Sequence, residues 1–363
     1  MKFIHSADFH LGMKFEKSSI PQSMSKIRRQ RIWTSVEKLI KYSIDENVDY
    51  IFLSGDLYNL ENFSLSDMNR LMDLFSRTNS QICIIGGNHD PIYNDNLWDM
   101  VNISDNLNIF KKDTLEKIEF DDTDVYGISY NKNNYDFINI FDDLKLDKLK
   151  TNVLMIHSDL LNDNNCYMFF DQDKVNNLGF DYVALGHIHK PTIFNDKFVY
   201  PGSIEPLSFK EKGMHGAVIG SIVDNRLDID FLDCSESNFN EFDYYISDKF
   251  SYYDLVGSLS KCLVEDKKNY IRINLKGQLE DGFDLDIDSL QESLKKYCEY
   301  VEIIDNTESN INLDKIYEFN RNNVLGYFIE ETKNLDGEDP VVKRAINLGI
   351  KSLMENNLWK LLD

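Results

Sequence analysis

The first part of the chain alternates short apolar runs with longer segments in which apolar residues recur every three or four positions. Short apolar runs are typical of buried strands, and the longer spacing is typical of amphipathic helices. The runs predict strands at residues 2–7, 48–54, 81–85, 153–156, 182–185, 217–223 and 227–231. The spacing predicts helices over residues 25–46 and 65–75. This alternation predicts an α/β fold in which helices pack on a sheet.

The pattern changes after residue 235, where five short elements follow one another closely. Strands are predicted at residues 242–246, 270–275 and 300–304, and helices at residues 253–263 and 287–296. This order predicts a small α+β domain at residues 236–306, after a larger domain formed by residues 1–235.

The last part of the chain is interpreted as a polar linker followed by helices. Residues 306–312 are polar apart from one isoleucine, and a helical pattern begins at Leu313. Asp339 and Pro340 predict a helix start, because Asp is a favoured N-cap and Pro is tolerated in the first turn. Apolar residues then continue to the chain end, at Val341, Ala345, Leu348, Leu353 and Leu358. We therefore treat residues 313–363 as a helical C-terminal segment.

Composition narrows the class of protein. The 363 residues include 39 Lys and Arg against 62 Asp and Glu, so the formal net charge is −23. This charge argues against a generally basic nucleic-acid coat or a binder of anionic membranes, although a local basic groove remains compatible with it. Apolar content of 42% and charged content of 28% are those of an ordinary globular protein.

The cysteines and the first residues indicate a cytoplasmic protein. Five cysteines are scattered without a Cys-x-x-Cys pair, which favours reduced thiols over a disulfide framework. The chain start runs directly into Asp8 and His10 and shows no signal peptide. No apolar run approaches the roughly 18 residues of a membrane span, so we expect no membrane association.

Polar residues that can bind metals follow five of the predicted strands. These settings are Asp8-Phe9-His10, Gly55-Asp56, Gly87-Asn88-His89-Asp90, Ile156-His157-Ser158 and Gly186-His187-Ile188-His189. Ligand sites of open α/β sheets lie at the carboxyl ends of strands. We therefore expect the five settings to converge on one crevice.

The residue types in these settings suit divalent metals, because carboxylates, an amide oxygen and imidazoles form a mixed oxygen and nitrogen shell. The candidate ligands are Asp8, His10, Asp56, Asn88, His157, His187 and His189. They exceed what one ion needs and suit two ions that share a carboxylate. Two divalent ions, two aspartates and a hydroxide sum to about +1, which attracts a phosphate ester. Paired ions about 3.5–4 Å apart are the usual apparatus for in-line attack on phosphorus.

The order of these motifs resembles the calcineurin-like metallophosphoesterase superfamily over roughly residues 1–235. Asp-x-His, Gly-Asp, Gly-Asn-His-Asp, a single His and Gly-His-x-His occur in that superfamily's order. The opening at residues 4–12 and the segment at residues 200–209 resemble the SbcD-like DNA repair exonucleases, including the YhaO-type branch. The resemblance implies a metallophosphoesterase sheet core flanked by helices, a small capping domain and a C-terminal tail that binds an ATPase.

The resemblance also implies which residues hold each ion. One ion would be bound by Asp8, His10, Asp56 and His189, and the other by Asp56, Asn88, His157 and His187. His89 would stand beside the ions and orient the scissile phosphate or protonate the leaving oxygen. Manganese is the metal that the resemblance implies.

One position departs from the related nucleases. Archaeal and eukaryotic relatives usually carry a His shortly after Gly-Asp, whereas Asn59 occurs here. The departure bears on substrate positioning rather than on metal binding. His5 and His215 lie outside the motifs, and we interpret them as ordinary structural or surface histidines.

One dense basic cluster offers a contact to DNA. It consists of Lys26, Arg28, Arg29 and Arg31, at the start of a predicted helix. These side chains either contact phosphates or form a solvated helix face. The resemblance further implies an SMC-like ABC ATPase as a partner, bound through the C-terminal helices. The same apolar helical surface is also compatible with a homodimer or with packing on the chain's own domain.

These observations favour a two-metal DNA exo- or endonuclease that processes DNA ends in double-strand-break repair together with an ATPase. A second hypothesis keeps the metal site but acts on a small phosphodiester, a nucleotide or a phosphoprotein. The phosphoprotein version is disfavoured, because Ser/Thr phosphatases of the superfamily carry Arg-Gly and Glu where this chain has Asn59-Leu60 and Asp90. A third hypothesis is a metal-binding scaffold without catalysis, which the complete ligand set disfavours.

Overall fold

The computed structural model divides the chain into two compact units, Met1–Phe239 and Asn240–Asp363. The described residues are 1–92, 96–130, 140–160, 172–246, 251–263, 266–279, 285–309, 313–335 and 339–355. The further division of the second unit into a capping domain and a C-terminal segment stays a prediction.

The first unit contains two six-stranded sheets. In spatial order, the first sheet contains β12 (Arg226–Asp233), β11 (Gly216–Val223), β1 (Lys2–Ser6), β2 (Tyr50–Ser54), β3 (Gln81–Ile85) and β4 (Leu107–Ile109). The second sheet contains β5 (Glu116–Glu119), β6 (Thr123–Ile128), β7 (Thr151–His157), β8 (Tyr182–Gly186), β10 (Phe198–Tyr200) and β9 (Thr192–Phe194). Strands β1 to β4 are mutually parallel, as are β6 to β8, so their carboxyl ends point the same way within each sheet.

The two sheets pack face to face, and helices cover their outer faces. Phe52 of the first sheet and Met155 of the second belong to the core between the sheets. Helices α1 (Ser25–Asp45) and α2 (Leu65–Phe75) pack on the outer face of the first sheet, and α3 (Gln172–Leu178) contributes to the core on the outer face of the second. The arrangement has four layers, with helices outside and sheets inside.

This layering explains why central strands such as β2 are almost entirely apolar. Successive side chains of a strand point to opposite faces of the sheet. In β2, Phe52 lies in the core between the sheets, whereas Ile51 and Leu53 lie in the core beneath the helices. Since both faces are covered, no residue of β2 is exposed and every position favours a nonpolar side chain.

The predicted α/β fold is confirmed, with the strands divided between two sheets rather than gathered in one. The seven strands and both helices predicted for this unit are present. The sequence pattern does not predict β4, β5, β6, β9, β10 or α3. Three of these strands have only three residues, which is too short for a clear strand pattern, and β5 alternates exposed with half-buried positions.

The second unit contains a three-stranded sheet with two capped helices. The sheet is formed by β13 (Asn238–Ile246), β14 (Asp266–Leu279) and β15 (Cys298–Ser309), in that order. Helices α4 (Tyr252–Cys262) and α5 (Ile287–Leu294) begin after Ser251 and Asp286, whose side chains accept hydrogen bonds from backbone amides of the first turn.

The linker predicted over residues 306–312 is wrong at its start. Residues 306–309 belong to β15 and continue its parallel pairing with β14. A polar sequence is compatible with this position because β15 is an edge strand, where charged and polar residues protect the open edge. Residues 310–312 lie outside the described part of the chain.

Within the described residues, three helices follow β15: α6 (Leu313–Asn320), α7 (Val324–Thr332) and α8 (Pro340–Glu355). Their small core includes Leu325 and Ile350. The predicted start of α8 is confirmed, because Asp339 Oδ1 accepts a hydrogen bond from the Val341 amide at 2.8 Å. The predicted apolar residue Leu358 lies outside the described residues. Among the described helices, none is both long and apolar enough to cross a membrane.

Candidate metal centre

The predicted ligands lie at the carboxyl ends of strands from both sheets. The first sheet supplies Asp8, His10, Asp56 and Asn88, and the second supplies His157, His187 and His189. The two sets meet, because His157 Nε2 lies 3.4 Å from Asp56 Oδ2. The face-to-face packing of the sheets therefore brings seven residues from five separate segments into one cluster.

Four of these residues have a left-handed backbone conformation. The φ angle is 54° at Asp8, 51° at His10, 54° at Asp56 and 97° at His187. This region is sparsely populated by residues other than glycine. Such conformations persist only where the surrounding structure holds them, and they concentrate at functional sites. The backbone therefore supports a functional role for this cluster independently of the side chains.

Two glycines allow the strand ends to approach each other. A Cβ atom at Gly87 would lie 2.2 Å from Asp56 Oδ1, and one at Gly186 would lie 1.9 Å from Ser54 O. Either contact would force backbone apart, so only glycine fits these positions. Both glycines immediately precede predicted ligands, which explains their place in the Gly-Asn-His-Asp and Gly-His-x-His motifs.

Asp56 lies at the middle of the cluster. Its Oδ2 is 3.9 Å from His10 Nε2 and 3.4 Å from His157 Nε2. Its Oδ1 accepts a hydrogen bond from the His89 amide at 2.8 Å. The carboxylate thus faces two different histidines, as a residue shared by two ions must do.

The other predicted ligands flank Asp56 in two groups. On one side, His10 Nε2 and His189 Nε2 are 3.1 Å apart, and Asp8 Oδ1 lies 4.0 Å from His189 Nε2. On the other side, Asn88 Oδ1 lies 3.0 Å from His157 Nε2 and 3.1 Å from His187 Nδ1. We call these the His10–His189 side, with Asp8 and Asp56, and the His157–His187 side, with Asn88 and Asp56.

The donor atoms are spaced for divalent ions. Within each of three trios the ligand atoms lie within 4.8 Å of one another; the trios are Asp8–His10–His189, His10–Asp56–His89 and Asp8–Asp56–His157. Carboxylate oxygen with imidazole nitrogen is a donor set that suits zinc, iron and manganese. The residues present therefore fit bound divalent metal, and Asp8 and Asp56 each belong to two trios.

Three histidines are oriented through their Nδ1 atoms. His10 Nδ1 donates to Asn59 Oδ1 at 2.9 Å, and His189 Nδ1 donates to Glu211 Oε1 at 3.0 Å. His157 Nδ1 donates to the backbone carbonyl of Ser54 at 2.8 Å. Each bond places the proton on Nδ1 and leaves the lone pair of Nε2 directed into the cluster. Asn59 therefore positions a candidate metal ligand.

Asp90 fixes the loop that carries Asp56. Its buried carboxylate accepts hydrogen bonds from the amides of Asp56 at 2.9 Å, Leu57 at 2.7 Å and Gly87 at 2.6 Å. These bonds join the segment after β2 to the segment after β3. The final residue of the Gly-Asn-His-Asp motif thus acts by holding Asp56 in its strained conformation.

In the cluster, neighbouring charges oppose the effect that burial has on the pKa values of several residues. Burial alone would raise the pKa of Asp56, but His157 and His10 hold that pKa well below its ordinary value. Burial likewise lowers histidine pKa values, yet Asp56 raises the pKa of His157 to about 9 and Glu211 raises the pKa of His189 to about 9. By contrast, burial lowers the pKa of His10 to about 4. Metal binding at His157 and His189 therefore requires the release of protons.

His89 differs from the other histidines of the cluster. Its ring is exposed and its centroid lies 4.8 Å from that of His10, whereas its backbone amide contacts Asp56. The exposed ring is accessible to a substrate that approaches the cluster. The same position also brings it within ligand distance of His10 and Asp56, so its predicted role in chemistry stays a prediction.

The four residues of the predicted basic cluster differ in their exposure to solvent. Arg28 is only 4% exposed; its guanidinium lies 3.7 Å from the centre of the Phe15 ring and donates to Leu207 O at 2.6 Å. A buried guanidinium held in this way stabilises the fold, so the prediction of a DNA contact is wrong for Arg28. Arg31 is half-buried and donates to Ser237 Oγ at 3.3 Å. Lys26 is exposed and Arg29 is half-buried.

Sequence patterns do not assign Glu211 a role. It lies 22 residues after His189 and belongs to no motif, although it closely follows the segment at residues 200–209 that carries the family resemblance. His5 and His215 are both buried. His5 lies between Tyr182 Oη at 2.9 Å and Ser54 Oγ at 3.1 Å.

Comparison with known families agrees with this geometry. The family model described as calcineurin-like phosphoesterase matches residues 1–191. The chain belongs to the calcineurin-like phosphoesterase family. The matched residues include all seven predicted ligands and His89, whereas Glu211 lies beyond them. Membership places the chain among enzymes that hydrolyse phosphate esters.

Individual relatives cover different shares of the chain. The uncharacterized metallophosphoesterase YhaO of Bacillus subtilis is 27% identical over 245 residues, which are 64% of this chain and 60% of that protein. The DNA double-strand break repair protein Mre11 of Sulfolobus acidocaldarius is 23% identical over 397 residues, covering 99% of this chain and 98% of that protein. The crystal structure of TT1561 of Thermus thermophilus covers 63% of this chain at 11% identity, with a TM-score of 0.38.

Proposed function

We propose that the chain is a metal-dependent phosphodiesterase that cleaves DNA with two divalent ions, most effectively manganese. The observation that carries the proposal is the position of Asp56, whose Oδ2 faces histidines of both sides of the cluster. A carboxylate shared by two sets of ligands is the arrangement that two-metal hydrolysis of phosphodiesters requires.

The residues of the cluster have separate tasks in this reaction. Bound ions would supply the positive charge that activates water and neutralises the developing charge on the phosphate. Asn59 and Glu211 hold the rings of His10 and His189 so that Nε2 remains a ligand atom. In this proposal the ring of His89, which is exposed, orients the phosphate or protonates the leaving oxygen.

A basic groove beside the cluster supports a nucleic-acid substrate. The groove has a volume of about 480 Å³ and is lined by residues that include Gly12, Lys26 and Arg29. Gly12 lies two residues after the candidate ligand His10, so the groove begins close to the metal centre. Lys26 and Arg29 form no ion pair with any other described residue, and their charges are available to DNA phosphates. The relation to Mre11, a protein named for DNA double-strand break repair, supports the same substrate.

The direct test is cleavage of DNA labelled at the 5′ or 3′ end, measured with manganese, zinc or magnesium. We expect manganese-dependent cleavage by the wild-type chain and none by Asp56→Asn. Bis-p-nitrophenyl phosphate is assayed in parallel. Hydrolysis of this small diester without cleavage of DNA would favour a small phosphodiester or nucleotide as substrate. Absence of both activities in metal-loaded protein would favour a scaffold.

An SMC-like ABC ATPase is the proposed partner, bound through helices α6 to α8. Phe319 is 80% exposed, Val341 76% and Leu348 60%, although neighbouring residues of the same helices form a core. Apolar residues on more than one face of a helix suggest that a second chain covers the outer face.

The partner proposal is tested by pull-down of a co-expressed ATPase of this class. We expect Val341→Asp with Leu348→Asp, or removal of residues 313–363, to abolish the association and ATP-stimulated DNA cleavage. Hydrolysis of bis-p-nitrophenyl phosphate should be retained. Leu149→Asp is a matched control, because Leu149 is an exposed leucine of the first unit. Retained association in the double variant would contradict the proposal.

A further inference from the structure

A second cavity adjoins the metal centre. Its volume is about 430 Å³, and its walls include His187 and His189 together with Lys190, Lys210 and Lys212. Cavities of this size are within the range of small-ligand sites, about 300–1,000 Å³. Since two of its lining residues are candidate metal ligands, a group bound in the cavity lies next to the metal centre. We call this cavity the lysine pocket.

Two lysines of the lysine pocket carry charges that no ion pair neutralises within the described part of the chain. Lys190 and Lys210 are exposed, and neither forms an ion pair with another residue in the described part of the chain. This is notable in a chain of net charge −23, in which lysines such as Lys38, Lys41 and Lys117 pair with carboxylates. The two lysines come from different segments that meet at the candidate ligand His189.

Among the described residues that line the pocket, the one carboxylate already accepts hydrogen bonds. Glu211 accepts hydrogen bonds from His189 Nδ1 at 3.0 Å, from the Leu207 amide at 2.8 Å and from Ser203 Oγ at 3.3 Å. Even if Glu211 counts as a full negative charge, Lys190 and Lys210 alone carry two positive charges, so these three groups together have a formal charge of +1. The pocket therefore favours an anion.

The wall also contains a polar atom without a partner. His215 lines the pocket and is 2% exposed, and its Nδ1 lies 3.0 Å from Ser203 Oγ. Its Nε2 is buried and has no hydrogen-bond partner among the described residues. Because His215 Nδ1 also lies 3.1 Å from the Ser203 carbonyl, Nδ1 carries the ring proton, and Nε2 is an acceptor that an ordered water or a hydroxyl group of a ligand would satisfy.

We propose that the lysine pocket binds the phosphate group next to the scissile phosphodiester, so that the enzyme recognises a nucleotide chain rather than an isolated diester. The inference rests on the proposed function of the metal centre, because a phosphate held by the ions brings the adjacent phosphate of the same chain within reach of Lys190 and Lys210. Ammonium groups bind phosphate as point charges and contribute charge-assisted hydrogen bonds.

Binding of two nucleotides to the manganese-loaded protein tests this inference. Thymidine 5′-monophosphate has one phosphate for the metals, and thymidine 3′,5′-bisphosphate has a second phosphate for the pocket. By calorimetry we expect the wild type to bind the bisphosphate at least about tenfold more tightly, as for one charge-assisted hydrogen bond. In Lys190→Ala with Lys210→Ala, the ratio of the two dissociation constants should approach one.

Lys145→Ala with Lys148→Ala is the matched control. Both lysines are exposed and precede β7, whose far end carries His157 about 20 Å away at about 3.3 Å per residue. This pair removes the same charge and should keep the wild-type ratio. A wild-type ratio near one, or an unchanged ratio in the pocket variant, would overturn the inference. Because binding is measured without catalysis, failure of DNA cleavage is a separate result that concerns only the proposed function.

Discussion

The His10–His189 side and the His157–His187 side share Asp56, but their histidines are held by different kinds of group. On the first side, Nδ1 of each histidine donates to a side chain, Asn59 or Glu211. On the second side, His157 donates to the backbone carbonyl of Ser54. A backbone carbonyl at the end of a buried strand is present whatever residue occupies the position, whereas a side-chain acceptor depends on one residue.

The two kinds of acceptor should make metal affinity respond differently to mutation on the two sides. A group that orients a ligand and accepts its proton typically changes metal affinity by about 10–100-fold. Substitution can alter that contribution on the His10–His189 side, through Asn59 and Glu211. It cannot remove the Ser54 carbonyl on the other side. We therefore expect the two sides to respond unequally to mutation, except at the residue they share.

Asp56→Asn should weaken metal binding on both sides of the cluster, because it removes the charge that the two sides share. We expect loss of at least one of the two ions and loss of phosphodiester hydrolysis, since an amide cannot replace a bridging carboxylate. Elemental analysis and hydrolysis of bis-p-nitrophenyl phosphate measure the two effects. Asp228→Asn, at an exposed position of β12, is the control and should keep both ions. Two tightly bound ions in Asp56→Asn would show that Asp56 is not the bridge.

His89→Ala should slow the reaction without favouring either side. The ring of His89 is exposed, so its removal leaves the buried ligands in place. We expect both ions to remain while the rate falls by about 10²–10⁴-fold, the usual contribution of a general acid. The measurement is kcat together with metal content. If metal content falls in parallel with the rate, His89 is a ligand instead.

The metal centre is more predictable from sequence than the groups that support it. Its ligands follow strands directly, and Gly87 and Gly186 mark where those strands approach each other. Glu211 reaches His189 from a loop 22 residues away, a contact that depends on the tertiary fold. The sequence also does not predict that Asn59 orients His10, because at this position only the absence of the His found in related nucleases can be seen.

Burial and edge position explain the two predictions that were wrong. Arg28 shares a helix with exposed basic residues, and only the tertiary packing of Phe15 and the Leu207 carbonyl around it shows that it is structural. Residues 306–309 have the polarity of a linker because they lie in an edge strand. The local sequence is the same for a surface arginine and a structural one, and for a polar linker and a polar edge strand. Contacts with distant residues decide between them.

Glu211→Gln should weaken metal binding on the His10–His189 side only. The variant keeps the shape but replaces a charged acceptor of the His189 proton with a neutral one. We expect metal affinity on the His10–His189 side to fall by about 10–100-fold, with the His157–His187 side unchanged. Stepwise manganese titration followed by calorimetry separates the two sides. An equal loss at both sides would indicate a general structural defect.

The size of this loss should depend on pH. Burial lowers the pKa of His189, but Glu211 raises it to about 9, so near neutral pH a proton competes with the metal for His189. In Glu211→Gln this pKa falls and the competition weakens, which offsets part of the lost affinity at pH 7 but not at pH 9. Between pH 7 and pH 9 the affinity of the wild type should therefore rise more steeply than that of the variant. Parallel slopes would argue against the role of Glu211.

Asn59→Asp should raise metal affinity on the His10–His189 side, and this is the smallest of the expected effects. Asn59 Oδ1 already accepts the His10 proton at 2.9 Å, so the substitution replaces a neutral acceptor with a charged one of the same shape. Hydrogen bonds to charged groups contribute about 1.5–3 kcal/mol against about 0.5–1.5 kcal/mol for neutral ones, and the difference corresponds to roughly a severalfold to tenfold gain in affinity. The added negative charge also attracts a divalent ion directly. Manganese titration of Asn59→Asp beside Asn59→Ala should give affinities above and below the wild type on the His10–His189 side. If both variants weaken binding, the amide nitrogen of Asn59 has a role that its contact with His10 does not explain.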